Sequence, residues 1–264
     1  MILTSLLSRH SRLFMPVLHN QDDPRPDLSV VTLCYRAGEG TRQLAARIAT
    51  VLVEDGIANY EIVLVGNYVE GSTDVTPRIV RELAAADTRI LCSAVAKQGM
   101  MGWDMRSGLA IARGRHLAII DGDGQILVED LARGYGALRS ENLDLVKARR
   151  TRRGDGPIRA TMSIVFNGLF RLLFPGLDAS DINAKPKIMT RAAYERMELH
   201  SDDWFVDAEI LIEARRLHLR IGEFKTEFLE LTGRRSFVNL RTVVEFLSNL
   251  ARYRLREFRR QREE

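Results

Sequence analysis

Two aspartates, Asp121 and Asp123, directly follow an apolar run of the sequence, and one glycine separates them. In an extended chain, residues two apart point to the same side, so both carboxylates can share one ligand. Gln125 would add a neutral oxygen or orient a metal-bound water. Hard oxygen ligands that leave several positions open are typical of Mg²⁺ or Mn²⁺ bound together with substrate phosphates. The spacing therefore indicates a metal site at Asp121, Asp123 and Gln125, and an ordinary acidic turn is the alternative.

Around this motif, apolar runs of strand length alternate with segments whose apolar residues recur at helical spacing. This alternation predicts an α/β fold with a mostly parallel sheet covered by helices on both faces. Such sheets bind ligands beyond the carboxyl ends of their strands, which is where the two aspartates fall. The predicted strands are residues 29–35, 60–66, 89–95, 115–121, 143–148 and 219–231, and the predicted helices are residues 40–56, 74–86, 99–114, 127–140, 160–174, a part of 201–216, and 240–264.

The composition limits the class of protein. The 264 residues are 45% hydrophobic and 28% charged, so the chain can bury a sizeable core, and its net charge of +4 suits an anionic partner. No uninterrupted apolar stretch reaches the roughly 18 residues that a transmembrane helix needs. Cys34 and Cys92 have no metal-ligand spacing and are expected to be reduced thiols. These features predict a cytoplasmic protein.

Four motifs follow one another along the first half of the chain. They are Leu33-Cys34-Tyr35-Arg36-Ala37, Glu70-Gly71-Ser72-Thr73-Asp74, Lys97-Gln98-Gly99 and Asp121-Gly122-Asp123-Gly124-Gln125. Their order and spacing resemble the inverting family-2 glycosyltransferases of the GT-A fold, in particular the dolichyl- and polyprenyl-phosphate sugar synthases. Residues 181–191, 204–223 and 233–239 resemble later segments of the same family.

The resemblance implies a GT-A fold and the metal-dependent transfer of a single sugar from a nucleotide sugar to a polyprenyl phosphate, as in cell-envelope glycan synthesis. A UDP-sugar is expected before a GDP-sugar, and Mg²⁺ or Mn²⁺ is the implied cofactor, with Asp123 in a catalytic role. The implied donor-binding residues are Tyr35, Asn67, Glu70, Lys97 and Asp121. Asp74 belongs to the same motif, but its position also suits the N-cap of a helix over 75–86.

Basic residues after the fifth predicted strand indicate a phosphate-binding loop. Arg149, Arg153 and Arg159 flank a Gly-Asp-Gly-Pro hinge, and guanidinium groups bind phosphate bidentately. We expect Arg149 to act in catalysis and Arg153 and Arg159 to bind the donor, with a solvated surface loop as the alternative. The expected acceptor-phosphate residues are Lys185, Lys187, Arg234, Arg235 and Ser236.

Asp207 opens an acidic helix and is the first candidate for a catalytic base. A hydroxyl acceptor, on a glycan or glycolipid, would require such a base. A lipid phosphate is largely ionised at neutral pH because its second pKa is about 6, so Asp207 would then only position groups. Helix capping is the alternative for Asp207, and more so for Asp202 and Asp203. A nucleotidyltransferase or a nucleotide-binding module remains a third class of function.

The chain divides by pattern into four parts: an N-terminal amphipathic extension and linker (1–27), a nucleotide-sugar-binding half (28–150), an acceptor-side half (151–239) and a basic amphipathic helix (240–264). The apolar and arginine-bearing faces of the terminal segments predict a peripheral protein on the inner face of the cell membrane. Packing on the domain or on a second subunit of a homodimer is the alternative. Nucleic acid is not an expected partner, since the arginines lack interleaved aromatic residues.

Overall fold

The computed structural model describes residues 24–151, 156–177, 180–227 and 240–263, so the segment 1–23 and the basic loop at 233–239 lie outside it. Over residues 28–150, strands and helices alternate as predicted. The strands are β1 (Leu28–Leu33), β2 (Tyr60–Val65), β3 (Ile90–Ser93), β4 (His116–Asp121), β5 (Leu145–Arg150), β6 (Lys187–Thr190) and β7 (Ile221–Thr226). The helices are α1 (Gly40–Glu54), α2 (Thr76–Ala86), α3 (Met101–Ile111), α4 (Glu129–Ser140), α5 (Gly156–Leu173), α6 (Arg191–Arg196), α7 (Val206–Arg216) and α8 (Leu240–Glu263).

The strands form one mixed sheet in the order β3-β2-β1-β4-β6-β5-β7. Every neighbouring pair is parallel except those that involve β6, which runs antiparallel between β4 and β5. The mostly parallel sheet is thus confirmed, but β6 and α6 were not predicted. β6 has four residues, begins with a lysine and follows a proline, so it shows neither strand alternation nor a long apolar run.

Alternate residues of each central strand face opposite layers of helices. Val31 and Ile119 point to one apolar cluster, which contains residues of α3, α5, α7 and α8. Val30 and Ile120 point to a second cluster, built with α1 and α4. Burial on both faces explains why these strands are almost continuously apolar, as parallel strands under two helical layers must be.

The register brings the carboxyl ends of β1, β2 and β4 to one edge of the sheet. Leu33, at the end of β1, is level with Val65 on one side and with Asp121 on the other. The loops that carry the predicted donor residues therefore leave from the edge at which the acidic motif begins, as the rule for parallel sheets requires.

Two further sequence expectations concern the cysteines and the membrane. Cys34 is buried, Cys92 is half-buried, and both are free thiols. Within the described ranges, no helix combines the length and the apolar composition that crossing a bilayer demands.

Candidate functional site

The acidic motif lies at the end of β4, where the chain turns away from the sheet. The N–H of Gly122 donates to the carbonyl of Leu33 at 2.9 Å and so pairs the motif with the end of β1. Asp123 is half-buried, and its Oδ1 accepts the N–H of Gln125 at 3.1 Å. The side chain of Asp121 is 31% exposed. The two carboxylates thus stand on a turn that hydrogen bonds hold against the sheet.

Replacement of Gly122 by alanine should destabilise the protein by about 1–3 kcal/mol, since a methyl group has no room there. A Cβ at this position would lie 2.7 Å from the carbonyl oxygen of Leu33 and 3.0 Å from the Cα of Cys34, and both are backbone atoms. Gly136, exposed on α4 with nothing within 4 Å, is the matched control. Its replacement by alanine should stabilise the helix by about 0.5–1 kcal/mol. Urea unfolding measures both, and equal effects would contradict the close approach.

A buried cluster of two lysines and one aspartate lies directly behind the motif. Lys185 Nζ is 3.2 Å from Asp121 Oδ1 and 2.9 Å from Asp207 Oδ2. Lys187 Nζ is 2.5 Å from Asp207 Oδ1 and 3.1 Å from the carbonyl of Ala184. Lys185, Lys187 and Asp207 are at most 2% exposed. The sequence had assigned the lysines to the acceptor and Asp207 to catalysis, and the structure brings all three together behind Asp121.

The charges of this cluster set the ionisation of its members. Burial alone would raise the pKa of Asp207, but the ammonium groups of Lys185 and Lys187 outweigh it and hold that pKa below the usual value. Burial likewise works to lower the pKa of Lys185, yet the carboxylates of Asp121 and Asp207 raise it. Asp207 is therefore an ionised carboxylate held by two cations, which makes it a weak base.

Asp121 differs from Asp207 in its electrostatics. Burial raises its pKa, Lys185 opposes that shift, and the charges of Asp123 and Asp207 add to it. A carboxylate that is destabilised by neighbouring acids gains from a cation on its exposed side. Asp121 has such an exposed side, since its side chain is 31% exposed whereas those of Lys185, Lys187 and Asp207 are at most 2% exposed.

Asn67, a predicted donor residue, is fully buried and holds two strand ends and α3 together. Its Nδ2 donates to Asp104 Oδ1 and to Ser107 Oγ, each at 2.9 Å. Its Oδ1 accepts from Ser93 Oγ at 2.9 Å and from the N–H of Val95 at 3.1 Å. The amide is therefore saturated by the protein itself, and it supports the edge on which the donor loops stand.

Lys97 and Tyr35, two other predicted donor residues, contact each other next to Asp104, which Asn67 also contacts. Lys97 pairs with Asp104, and its Nζ lies 4.2 Å from the centroid of the Tyr35 ring, which remains 37% exposed. Asp104 was not among the predicted residues. The sequence did contain one indication of its role. Asp104 shares a face of α3 with Met101, Met105 and Leu109, and an acid is rarely buried on such a face without a partner.

The remaining predicted residues are more dispersed. Glu70 is exposed on the loop after β2, and Arg149 is exposed near the end of β5, at the same edge of the sheet as the acidic motif. Asp74 Oδ1 accepts from the N–H of Thr76 at 3.0 Å at the start of α2, whose N-cap residue is Val75 rather than Asp74. Arg153, Arg234, Arg235 and Ser236 lie outside the described residues, and Arg159 is described only as backbone of α5.

Polar contacts join α8 to the segment that carries Asp207. Asn249 Nδ2 donates to Asp203 Oδ2 at 2.6 Å, and the hydroxyl of Tyr253 donates to Glu209. Asp203 Oδ1 in turn accepts the N–H of Phe205, the N-cap residue of α7, at 2.8 Å, so it lies in the turn before the helix and does not cap it. The C-terminal helix is thus fixed to the helix on which the buried cluster is built.

The acidic motif suits a divalent cation through its chemistry more than through the number of its protein ligands. In the described ranges no three or more acidic, histidine or cysteine side chains group as a metal cage. Asp121 and Asp123 offer hard carboxylate oxygens on one turn, which is typical of Mg²⁺ or Mn²⁺ that completes its shell with phosphate oxygens and water. The residues present therefore fit a metal that is bound jointly with a phosphorylated substrate.

Comparison with known sequences places this site in a family context. The model of glycosyl transferase family 2 matches residues 29–200. Glycosyltransferase AglD of Haloferax volcanii is 31% identical over 165 residues, which are 60% of this chain and 26% of AglD. Dolichyl-phosphate beta-glucosyltransferase ALG5D of Trichomonas vaginalis is 25% identical over 219 residues, which are 76% of this chain and 65% of that protein. The chain thus spans about a quarter of AglD and just under two thirds of ALG5D.

Among solved structures, glucosyl-3-phosphoglycerate synthase from Mycobacterium tuberculosis has a similar fold. Its complex with Mn²⁺, UDP-glucose and phosphoglyceric acid superposes with a TM-score of 0.60 at 19% identity, and the match covers 78% of this chain and 72% of that one. At this identity the similarity shows the shared GT-A fold.

Proposed function

Because the chain belongs to glycosyl transferase family 2, we propose that it transfers a single sugar from a nucleotide sugar to a polyprenyl phosphate, with inversion at the sugar. The observation that carries this proposal is the pair Asp121 and Asp123 at the carboxyl edge of the sheet, backed by buried cations. The dolichyl-phosphate acceptor in the name of the Trichomonas relative supports the same class of acceptor.

On the donor side, a UDP-sugar and Mn²⁺ or Mg²⁺ are the proposed ligands, supported by the Mn²⁺ and UDP-glucose in the M. tuberculosis complex. Asp121 and Asp123 would hold the metal, which supplies positive charge to the leaving diphosphate. Tyr35 is exposed and would offer its ring to the nucleoside, while Lys97, which pairs with Asp104, lies against that ring. Arg149 is exposed at the same edge and would contact phosphate oxygens.

On the acceptor side, the state of Asp207 favours a phosphate over a hydroxyl group. A hydroxyl acceptor must lose a proton to a base during attack. Asp207 is almost fully buried and neutralised by two ammonium groups, so it is a poor proton acceptor. A lipid phosphate is already ionised near neutral pH, because its second pKa is about 6. Its oxygen can attack the sugar carbon directly while the bond to the diphosphate breaks.

A polyprenyl-phosphate acceptor requires contact with a membrane, and α8 has a suitable face. Leu250 and Tyr253 of α8 pack into the core, whereas Leu247, Leu255 and Phe258 are 46%, 59% and 48% exposed. The exposed apolar residues lie on one side of the helix, with exposed Arg252, Arg256 and Arg259 beside them. An apolar stripe with flanking arginines is typical of a helix that lies on an anionic leaflet, and we propose the cytoplasmic face of the membrane as its location.

The double variant Leu255→Glu/Phe258→Glu should weaken binding to anionic vesicles about tenfold or more, because it removes two half-exposed apolar side chains from the contact. Co-sedimentation with vesicles that contain phosphatidylglycerol measures the bound fraction. Val53→Glu, at a 56% exposed apolar position on α1, is the matched control and should bind like the wild type. Unchanged binding of the double variant would exclude α8 as the membrane face.

A thermal-shift panel of UDP- and GDP-sugars, with and without Mn²⁺, tests the donor side of this function. A UDP-sugar should raise the melting temperature of the wild type more with Mn²⁺ than without it, and Asp123→Asn should lose the Mn²⁺-dependent part. Stabilisation by GDP-sugars alone would reassign the nucleobase. No stabilisation by any nucleotide sugar would contradict the proposed function.

A further inference from the structure

Lys185 is a buried lysine that lies against Asp121, although two aspartates could bind a metal without a lysine beside them. Its ammonium is 3.2 Å from Asp121 Oδ1 and 3.4 Å from Asp121 Oδ2, so it faces both oxygens of one proposed metal ligand. The same ammonium is 2.9 Å from Asp207 Oδ2. At 2% exposure this ammonium is buried, and it lies between the carboxylates of Asp121 and Asp207.

The two lysines differ in what they neutralise. Lys187 donates to Asp207 and to the carbonyl of Ala184, whereas Lys185 reaches Asp121. Asp207 can balance only one of the two ammonium groups that it contacts. Lys185 is thus the ammonium that lies directly against Asp121, whose side chain is 31% exposed, whereas that of Asp207 is 1% exposed.

Resting on the proposed function, we infer that Lys185 is a positioning residue that shares Asp121 with the divalent cation. Its tethered charge weakens the binding of Mn²⁺ or Mg²⁺ at Asp121, because two cations on one carboxylate repel each other. The same charge, fixed behind the motif, favours the donor diphosphate even without metal. Binding of the nucleotide donor therefore depends less on a divalent cation here than it would at a site that had the two aspartates without Lys185.

The first experiment measures Mn²⁺ binding without any nucleotide, from the electron paramagnetic resonance signal of free Mn²⁺. Lys185→Met keeps the length of the side chain and removes the charge, and it should tighten Mn²⁺ binding about tenfold or more. Lys187→Met is the matched control, since it removes a buried ammonium from Asp207 without touching Asp121, and it should change Mn²⁺ affinity much less. Unchanged or weaker Mn²⁺ binding by folded Lys185→Met would overturn the inference.

A second experiment uses only the wild type, so that it remains decisive if Lys185→Met does not fold. Calorimetry compares UDP binding in EDTA with UDP binding in saturating Mn²⁺, and the two dissociation constants should differ by about tenfold or less. A loss of more than about tenfold in EDTA would overturn the inference and leave the proposed function standing. If neither UDP nor GDP binds even with Mn²⁺, the proposed function itself fails.

Discussion

Asp123→Asn should lower the rate of sugar transfer by about 10²–10³-fold while the protein stays folded. Asparagine keeps the size of the side chain and an oxygen that can still accept the N–H of Gln125, so the turn at the end of β4 keeps its internal hydrogen bond. What is lost is a negative charge at the position proposed to hold the metal against the leaving diphosphate. Because the loss concerns charge that develops during the reaction, it should appear mainly in kcat.

Asp144→Asn is the control for this variant. Asp144 pairs with Arg220 before the start of β5, at the opposite edge of the sheet from the acidic motif. Its replacement should leave the transfer rate close to that of the wild type. An Asp123→Asn protein with wild-type activity would show that the acidic motif is an ordinary turn.

Asp207→Asn should lower the free energy of unfolding by about 3–5 kcal/mol, because it leaves two buried ammonium groups without their shared carboxylate. Asp207 is 1% exposed, and its partners Lys185 and Lys187 are equally buried. Asp202→Asn is the matched control on the same segment. Asp202 is about half exposed and pairs with Arg106 at the surface, so its loss should cost about 1 kcal/mol or less.

Urea unfolding of Asp207→Asn/Lys187→Met sharpens this test. Removing Lys187 along with the charge of Asp207 restores the balance, so the double variant should be more stable than Asp207→Asn alone.

The lowered pKa of Asp207 also predicts how the stability of the protein depends on pH. The Asp207 carboxylate contributes fully to folding stability above its pKa in the unfolded chain, which is about 4. This contribution is lost as the pH falls through the lower pKa that Asp207 has in the folded protein. Equal stability of Asp207→Asn and wild type at pH 7 would contradict the buried ion cluster.

The sequence predicted the strands and helices that follow the common apolar patterns. The elements of the first half, up to β5, were predicted within a few residues, since their buried faces repeat with the periods of strands and helices. β6 escaped because its register places Lys187 in the interior, where apolar residues are the rule. A buried lysine is acceptable there because its ammonium contacts Asp207, twenty positions away, and the carbonyl of Ala184.

Contacts between residues that are distant in the sequence also limit how far the site could be predicted. Asp121 and Asp123 were found because their spacing is local and their place at a strand end follows from the sheet. The pairing of Lys185 with Asp121 and of Lys97 with Asp104 depends on how β6 and α3 pack, and no local pattern encodes it. Asn67 was predicted by resemblance as a donor residue, but the folded chain surrounds its amide with four partners.

The central claim is sugar transfer to a lipid phosphate, and a product assay tests it most directly. The wild type is incubated with radiolabelled UDP-glucose, Mn²⁺ and detergent-solubilised polyprenyl phosphate, and the label that enters the organic phase is counted. The account predicts labelled lipid with polyprenyl phosphate, none with the unphosphorylated polyprenol, and a strongly reduced amount with Asp123→Asn. Label transferred to polyprenol, or to 3-phosphoglycerate but not to polyprenyl phosphate, would contradict it.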